Sequence, residues 1–97
     1  MTFRELIQSE KPVLVDFSAE WCGPCRMQAP ILHDLKKKMK EEVKILKIDI
    51  DQNRKLANTL GIRSVPTLMI FKDGEPKWRN SGVFPAERLE ELIKQFS

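Results

Sequence analysis

Cys22 and Cys25 are the only cysteines in the chain, two residues apart in Trp21-Cys22-Gly23-Pro24-Cys25. Two thiols at that spacing suit disulfide exchange: a thiolate attacks one sulfur of a disulfide, and a second thiol within reach resolves the mixed species. The attacking sulfur must be exposed and have a lowered pKa. The pair stands between an apolar, strand-like run and a long helical pattern, so Cys22 falls at a helix N-terminus. Unpaired N–H groups and the helix dipole favour negative charge there. Cys22 is therefore assigned as nucleophile, and Cys25, one turn into the helix and shielded by it, as resolving thiol. Gly23 and Pro24 tune the couple. Pro24 has no N–H to donate to the Cys22 thiolate, so the dithiol is less stabilised and more reducing.

Two other uses of the pair are weaker. Structural zinc takes four ligands, and the chain offers one His and no further Cys. A passive structural disulfide would close too short a loop to gain much stability.

The elements that position the pair follow from periodicity and caps. Thr2 with Glu5 is a capping-box pattern, and Phe3, Leu6 and Ile7 share a helical face, which predicts a helix over 2–9. Val13 to Phe17 reads as a central strand buried on both faces, with Asp16 as its misfit. Met27, Ile31, Leu32, Leu35 and Met39 recur at helical spacing from Pro24 to Lys40, with a kink expected at Pro30. A strand over 43–50 follows, then a turn at Asp51-Gln52-Asn53 and a short helix from Arg54 to Leu60, ended by Gly61. Thr67 to Phe71 and Pro76 to Ser81 form a hairpin across Asp73-Gly74, and a last helix starting at Pro85 turns Leu89, Leu92, Ile93 and Phe96 inward. A βαβ unit followed by a hairpin makes a mixed α/β sheet with helices on both faces.

Composition narrows the class. Ninety-seven residues with 41% apolar and 32% charged residues suit one domain over 1–97. The net charge is +3, and the run Lys36-Lys37-Lys38 with Lys40 is answered by Glu41-Glu42, a solvated helix face with no aromatic interleaving; nucleic acid is not an expected partner. No apolar run is long enough to span a bilayer. Met1 to Glu5 carries mixed charge without the apolar stretch of a signal peptide, so the expected location is cytoplasmic.

With these residues in view, the chain resembles the thioredoxin family. The likeness runs through Val15-Asp16-Phe17, Ala19 to Met27, Ala29-Pro30, Asp49 to Asn53, Gly61-Ile62-Arg63, Val65-Pro66-Thr67 and Phe71 to Gly74, and more weakly onward from Gly82. The resemblance implies a three-layer sandwich and a protein-disulfide reductase serving redox homeostasis. No cofactor is bound; the dithiol is restored by NADPH-dependent thioredoxin reductase, and the clients are diverse protein disulfides. A carboxylate inside an apolar strand is costly, so the pKa of Asp16 should be raised; the resemblance further implies that Asp16 lies beneath the Cys pair and moves the proton of Cys25, with Lys47 leaning toward the same face. The Val65–Pro66 bond should be cis beside Cys22. Trp21, Gly61, Ile62, Val65, Pro66, Gly82 and Val83 should form a flat apolar platform on which an extended client segment pairs with the Val65 backbone. Met27 and Trp78 read as packing residues and His33 as a helix-surface residue.

The chain departs from the family pattern at two places. Ser18 stands where an aromatic is common, which would open the surroundings of Asp16. The family also opens with an extra strand, whereas this sequence begins at the first helix. Four strands are expected, ordered second, first, third, fourth. The second strand would be an edge; the chain is expected to be a monomer, with pairing of two copies through that edge as the alternative. Two other functions use the same residues: an extracytoplasmic thiol–disulfide carrier or isomerase, and a binding module whose thiols are idle.

Overall fold

The computed structural model describes residues 1–97. The element order is α1 (Phe3–Ile7), β1 (Val13–Ser18), α2 (Gly23–Met39), a 3-10 turn (Lys40–Glu42), β2 (Lys44–Asp49), α3 (Arg54–Leu60), β3 (Thr67–Lys72), β4 (Glu75–Ser81) and α4 (Ala86–Gln95). The sheet order is β2-β1-β3-β4, with β1 parallel to β2 and antiparallel to β3, and β3 antiparallel to β4. The expected mixed sheet with β2 at its edge is present.

Alternation along β1 sorts its side chains between two layers. Leu14 packs with Leu68 and Ile70 of β3 against Leu32, Leu35 and Met39 of α2 and Leu89, Leu92 and Ile93 of α4. Val13, Val15 and Phe17 face the other way, against Ile7 of α1, Ala57 of α3 and Ile62. Asp16 shares parity with Leu14, so it points to the side that carries α2 and the Cys pair. Its position in the strand thus puts a carboxylate on the face covered by α2, the helix that begins at the Cys pair.

Two local expectations shift. The first helix is shorter than 2–9. Its capping box forms, with Thr2 Oγ1 accepting from the Glu5 N–H at 3.2 Å and Glu5 Oε1 accepting from the Thr2 N–H at 3.0 Å. It stops at Ile7 because the carbonyls of Ile7 and Ser9 accept from Gly74 and Asp73 of the β3–β4 turn, so tertiary bonds replace the helical ones. That turn has φ of 53° at Asp73 and 81° at Gly74, the left-handed pair a two-residue hairpin loop needs. α2 runs from Gly23 to Met39 with Pro30 inside it.

The second shift concerns the inner face of α2. Cys25, Gln28, Leu32, Leu35 and Met39 are buried, at spacings of three and four, whereas Met27 is 64% exposed. Seating Cys25 under the strand end sets the phase, and that phase turns Met27 outward and Gln28 inward. The lysine run is used within the fold: Lys36 Nζ donates to the carbonyls of Lys40 at 2.7 Å and Val43 at 2.6 Å, and Lys38 pairs with Glu90 of α4 at 2.9 Å. No helix is long and apolar enough to cross a membrane.

Candidate active site

Cys22 is the N-cap of α2, with extended backbone at φ −91° and ψ 112°. Its Sγ accepts from the Cys25 N–H at 3.1 Å, filling the role usually taken by a capping oxygen. Pro24 sits in the first turn, where a missing N–H costs nothing. The two sulfurs form a disulfide, with the Cα atoms 5.3 Å apart.

Exposure does not rank the two sulfurs. Cys22 is 4% exposed and Cys25 3%, so the expectation of an exposed Cys22 is corrected for this oxidised state. Cys22 is covered because Ala19, Val65 and Ile50 pack around the pair. Their surroundings do differ. The Val65 carbonyl oxygen lies 3.6 Å from Cys22 Sγ, a contact in the disulfide and an acceptor for a thiol. Cys25 instead lines a cleft of about 520 Å³ with Ser18, Ala29, Arg26, Lys47 and Asp49. The small Ser18 side chain is buried at that wall.

Asp16 is fully buried, and neither carboxylate oxygen has a hydrogen-bond partner. Burial pushes its pKa from 3.8 up to about 6, and the positive charge of Lys47 pulls it part of the way back. Lys47 is directly opposite Asp16 in the β1–β2 ladder. No salt bridge joins them. Lys47 borders both the cleft beside Cys25 and a smaller cavity of about 280 Å³ lined by Asp16, His33, Lys36 and Ile45.

Around Cys22 the surface is built from three separate segments. Trp21 is 67% exposed and its indole Nε1–H donates to Asp51 Oδ2 at 2.8 Å. The Val65–Pro66 peptide is cis, and the Pro66 carbonyl accepts from the Gly82 N–H at 2.9 Å, which brings Gly82 and exposed Val83 alongside. Gly61 caps α3 in left-handed geometry at φ 67°. Arg79 of β4 holds that end, donating from Nη2 to the Gly61 carbonyl at 2.7 Å and from Nη1 to the Leu60 carbonyl. Ile62 is turned inward among Phe17, Ala57 and Met69. Its side chain belongs to the core, which leaves only its main chain to the platform.

Asp51, Arg79 and Gln28 were not singled out from the sequence. Asp51 reads as an ordinary turn residue and Arg79 as an ordinary strand arginine, and no local signal separates them. Gln28 had a signal: it is the polar position in the buried stripe that starts at Cys25.

A family model described as Thioredoxin matches residues 1–95. The chain belongs to the thioredoxin family. Thioredoxin of Rickettsia felis is 53% identical over 92 residues, which cover 95% of this chain and 88% of that one. Thioredoxin of Bacillus subtilis is 47% identical over 87 residues, covering 90% and 84%. Among solved structures, chloroplastic thioredoxin z superposes with a TM-score of 0.88 at 34% identity, covering 99% of this chain and 90% of that one. A mutant thioredoxin from Halobacterium salinarum gives 0.87 at 36%, covering 96% and 80%. This thioredoxin-family chain is a thiol–disulfide oxidoreductase, and its working pair is the disulfide-forming Cys22 and Cys25. No cluster of three or more His, Cys, Asp or Glu side chains could hold a metal ion.

Proposed function

We propose that this protein reduces disulfides of client proteins in the cytoplasm, with Cys22 as the attacking thiolate and Cys25 as the resolving thiol. The observation that carries the assignment is the Cys25 N–H donated to Cys22 Sγ at the start of a 17-residue helix. A hydrogen bond to the charged form and the helix N-terminus both favour thiolate at Cys22. That thiolate attacks one client sulfur; an S–S bond forms to Cys22, the client bond breaks, and one client thiolate leaves. Cys25 then loses its proton and attacks Cys22 Sγ. The Cys22–Cys25 disulfide forms, the second client thiolate leaves, and two electrons have passed to the client.

Asp16 and Lys47 serve the second step. The Cys25 proton needs an acceptor on its own side of the sheet. Lys47 bridges the cleft at Cys25 and the cavity at Asp16, which supports a proton route between them. Trp21, Gly61, the Ile62 backbone, Val65, Pro66, Gly82 and Val83 form the client platform. Val65 supports this reading most directly, because its carbonyl lies 3.6 Å from the attacking sulfur. The chain acts as a monomer without a bound cofactor, and NADPH-dependent thioredoxin reductase returns it to the dithiol.

The test is insulin reduction with NADPH and thioredoxin reductase. Wild type is expected to consume NADPH and precipitate insulin chains, and Cys22→Ser to do neither. NADPH consumption by Cys22→Ser equal to wild type would overturn the assignment.

Gly23 and Pro24 set the potential of the couple. Pro24→His supplies a backbone N–H and an imidazole beside Cys22 and so stabilises the thiolate form. Its equilibrium with glutathione is expected to shift toward the dithiol by at least about tenfold. An equilibrium constant equal to that of wild type would remove Pro24 from this role.

A further inference from the structure

Four polar or charged residues are buried in this protein: Asp16, Ser18, Thr67 and Gln28. The first two border the thiols. Thr67 braces the turn at Pro66, donating to the Ser64 carbonyl at 2.7 Å and lying 2.8 Å from Ser81 Oγ. Gln28 has no part in the reaction described so far, yet it is fully buried and both ends of its amide are engaged. Nε2 donates to the Phe84 carbonyl at 3.0 Å, and Oε1 accepts from the Phe84 N–H at 2.8 Å. That two-point pattern is how a neighbouring strand residue pairs with a backbone. Here a side chain on α2 supplies it across 56 residues of sequence.

Phe84 belongs to the loop between β4 and α4, and the loop is tied at both sides of Val83. Before Val83, the Gly82 N–H is held by the Pro66 carbonyl at 2.9 Å. After it, Phe84 is held by Gln28, and its ring packs edge-on against Trp78 at 5.3 Å. Val83 itself is 36% exposed, and its N–H and C=O have no partner within the chain. Gln28 lies one turn beyond Cys25 on the same face of α2.

We infer that Gln28 is a positioning residue for client binding: it holds the Gly82–Phe84 segment to the helix that carries the Cys pair. The unpaired Val83 main chain then stands next to the Pro66 turn, whose Val65 carbonyl meets Cys22, as a second contact for the client. This rests on the platform proposed above and names a residue that sets its geometry. Gln28 acts through Phe84 and does not touch the reacting sulfurs.

The test compares two substrates of the fully reduced protein. One is a peptide with an intramolecular disulfide and extended flanking residues. The other is 5,5′-dithiobis(2-nitrobenzoate), which has no peptide backbone to pair with the Val83 main chain. Gln28→Met is expected to lower the peptide rate constant about tenfold, as for the loss of a pair of modest hydrogen bonds, and to leave the small-disulfide rate within about twofold. Gln28→Glu adds a readout that mere packing would not move. A protonated carboxyl has the donor and acceptor of an amide, whereas a carboxylate has only acceptors and would face the Phe84 carbonyl. Its peptide rate relative to wild type is expected to recover near about pH 5.5 and fall near about pH 8, because burial raises a carboxyl pKa.

Equal losses on both substrates, or an unchanged peptide rate in folded Gln28→Met, would overturn the inference. So would a Gln28→Glu ratio that does not vary with pH, which also decides the matter if Gln28→Met fails to fold. A wild type that reduces the small disulfide but not the peptide would overturn the platform and this inference together. An active wild type with unaffected Gln28 variants overturns the inference alone.

Discussion

Cys25→Ser is expected to convert the protein from a catalyst into a trap. Cys22 still attacks, the mixed disulfide still forms, and the group that should cleave it is gone. An oriented intramolecular group acts at an effective concentration of about 10⁵ M or more, far above any external thiol. Turnover in insulin reduction should therefore fall by roughly a thousandfold or more. Client proteins should accumulate on Cys22 as adducts that survive denaturing electrophoresis and vanish on reduction. Cys22→Ser should trap none. The two variants also separate catalysis from docking: a binding module would keep its partners in both variants without covalent capture. Adducts that form equally on Cys22→Ser through Cys25 would reverse the roles of nucleophile and resolver.

The second large effect belongs to Asp16, where stability and catalysis pull in opposite directions. Its carboxylate oxygens are buried without partners, and its pKa is raised from 3.8 to about 6. Between those two values the folded chain holds a proton that the unfolded chain has released. Its contribution to stability is therefore intact below the unfolded pKa and is lost as pH rises through about 6. Asp16→Asn removes the ionisation. At roughly 1.4 kcal/mol per tenfold change in proton affinity, the variant should be more stable than wild type by about 3 kcal/mol at pH 8. The difference should shrink toward zero near about pH 4. Urea unfolding of both proteins at the two pH values measures this, and a difference that does not change with pH would refute it. The same variant should resolve the mixed disulfide more slowly, because no carboxylate takes the Cys25 proton. The wild-type rate should rise through pH 6, and Asp16→Asn should lose that rise.

The raised pKa at Asp16 was legible from one strand. Apolar residues flank it on both sides, and its parity with Leu14 places it on one face. Which helix covers that face was not legible from β1. The Cys pair was equally local: a strand, two thiols and a proline in the first turn describe a helix N-terminus without reference to the rest of the chain. Asp73-Gly74 announced its hairpin because few residues other than Gly, Asn and Asp accept positive φ in sequence. The first helix shows the limit of such signals. Its capping box was correct, and its end was not, because the Gly74 and Asp73 N–H groups lie more than sixty residues away.

The phase of α2 fails for a similar reason. Met27 fits an apolar stripe as well as any residue nearby, and sequence spacing alone prefers it to a glutamine. Burial instead follows the seating of Cys25, and Gln28 tolerates it because Phe84 satisfies both ends of its amide.

By itself the sequence determined the reactive pair, its place at a helix start, the buried carboxylate and the order of elements. Each depends on neighbours within a turn or a strand, where periodicity and capping act. Only the tertiary structure decided what stands around the sulfurs. Val65 reaches Cys22 across 43 residues, Asp51 reaches Trp21 across 30, and Phe84 reaches Gln28 across 56. Those contacts exist because the strand order β2-β1-β3-β4 sets Lys47 and the Pro66 turn on either side of β1. A hydrogen bond between distant segments depends on that order and register, which no local pattern encodes.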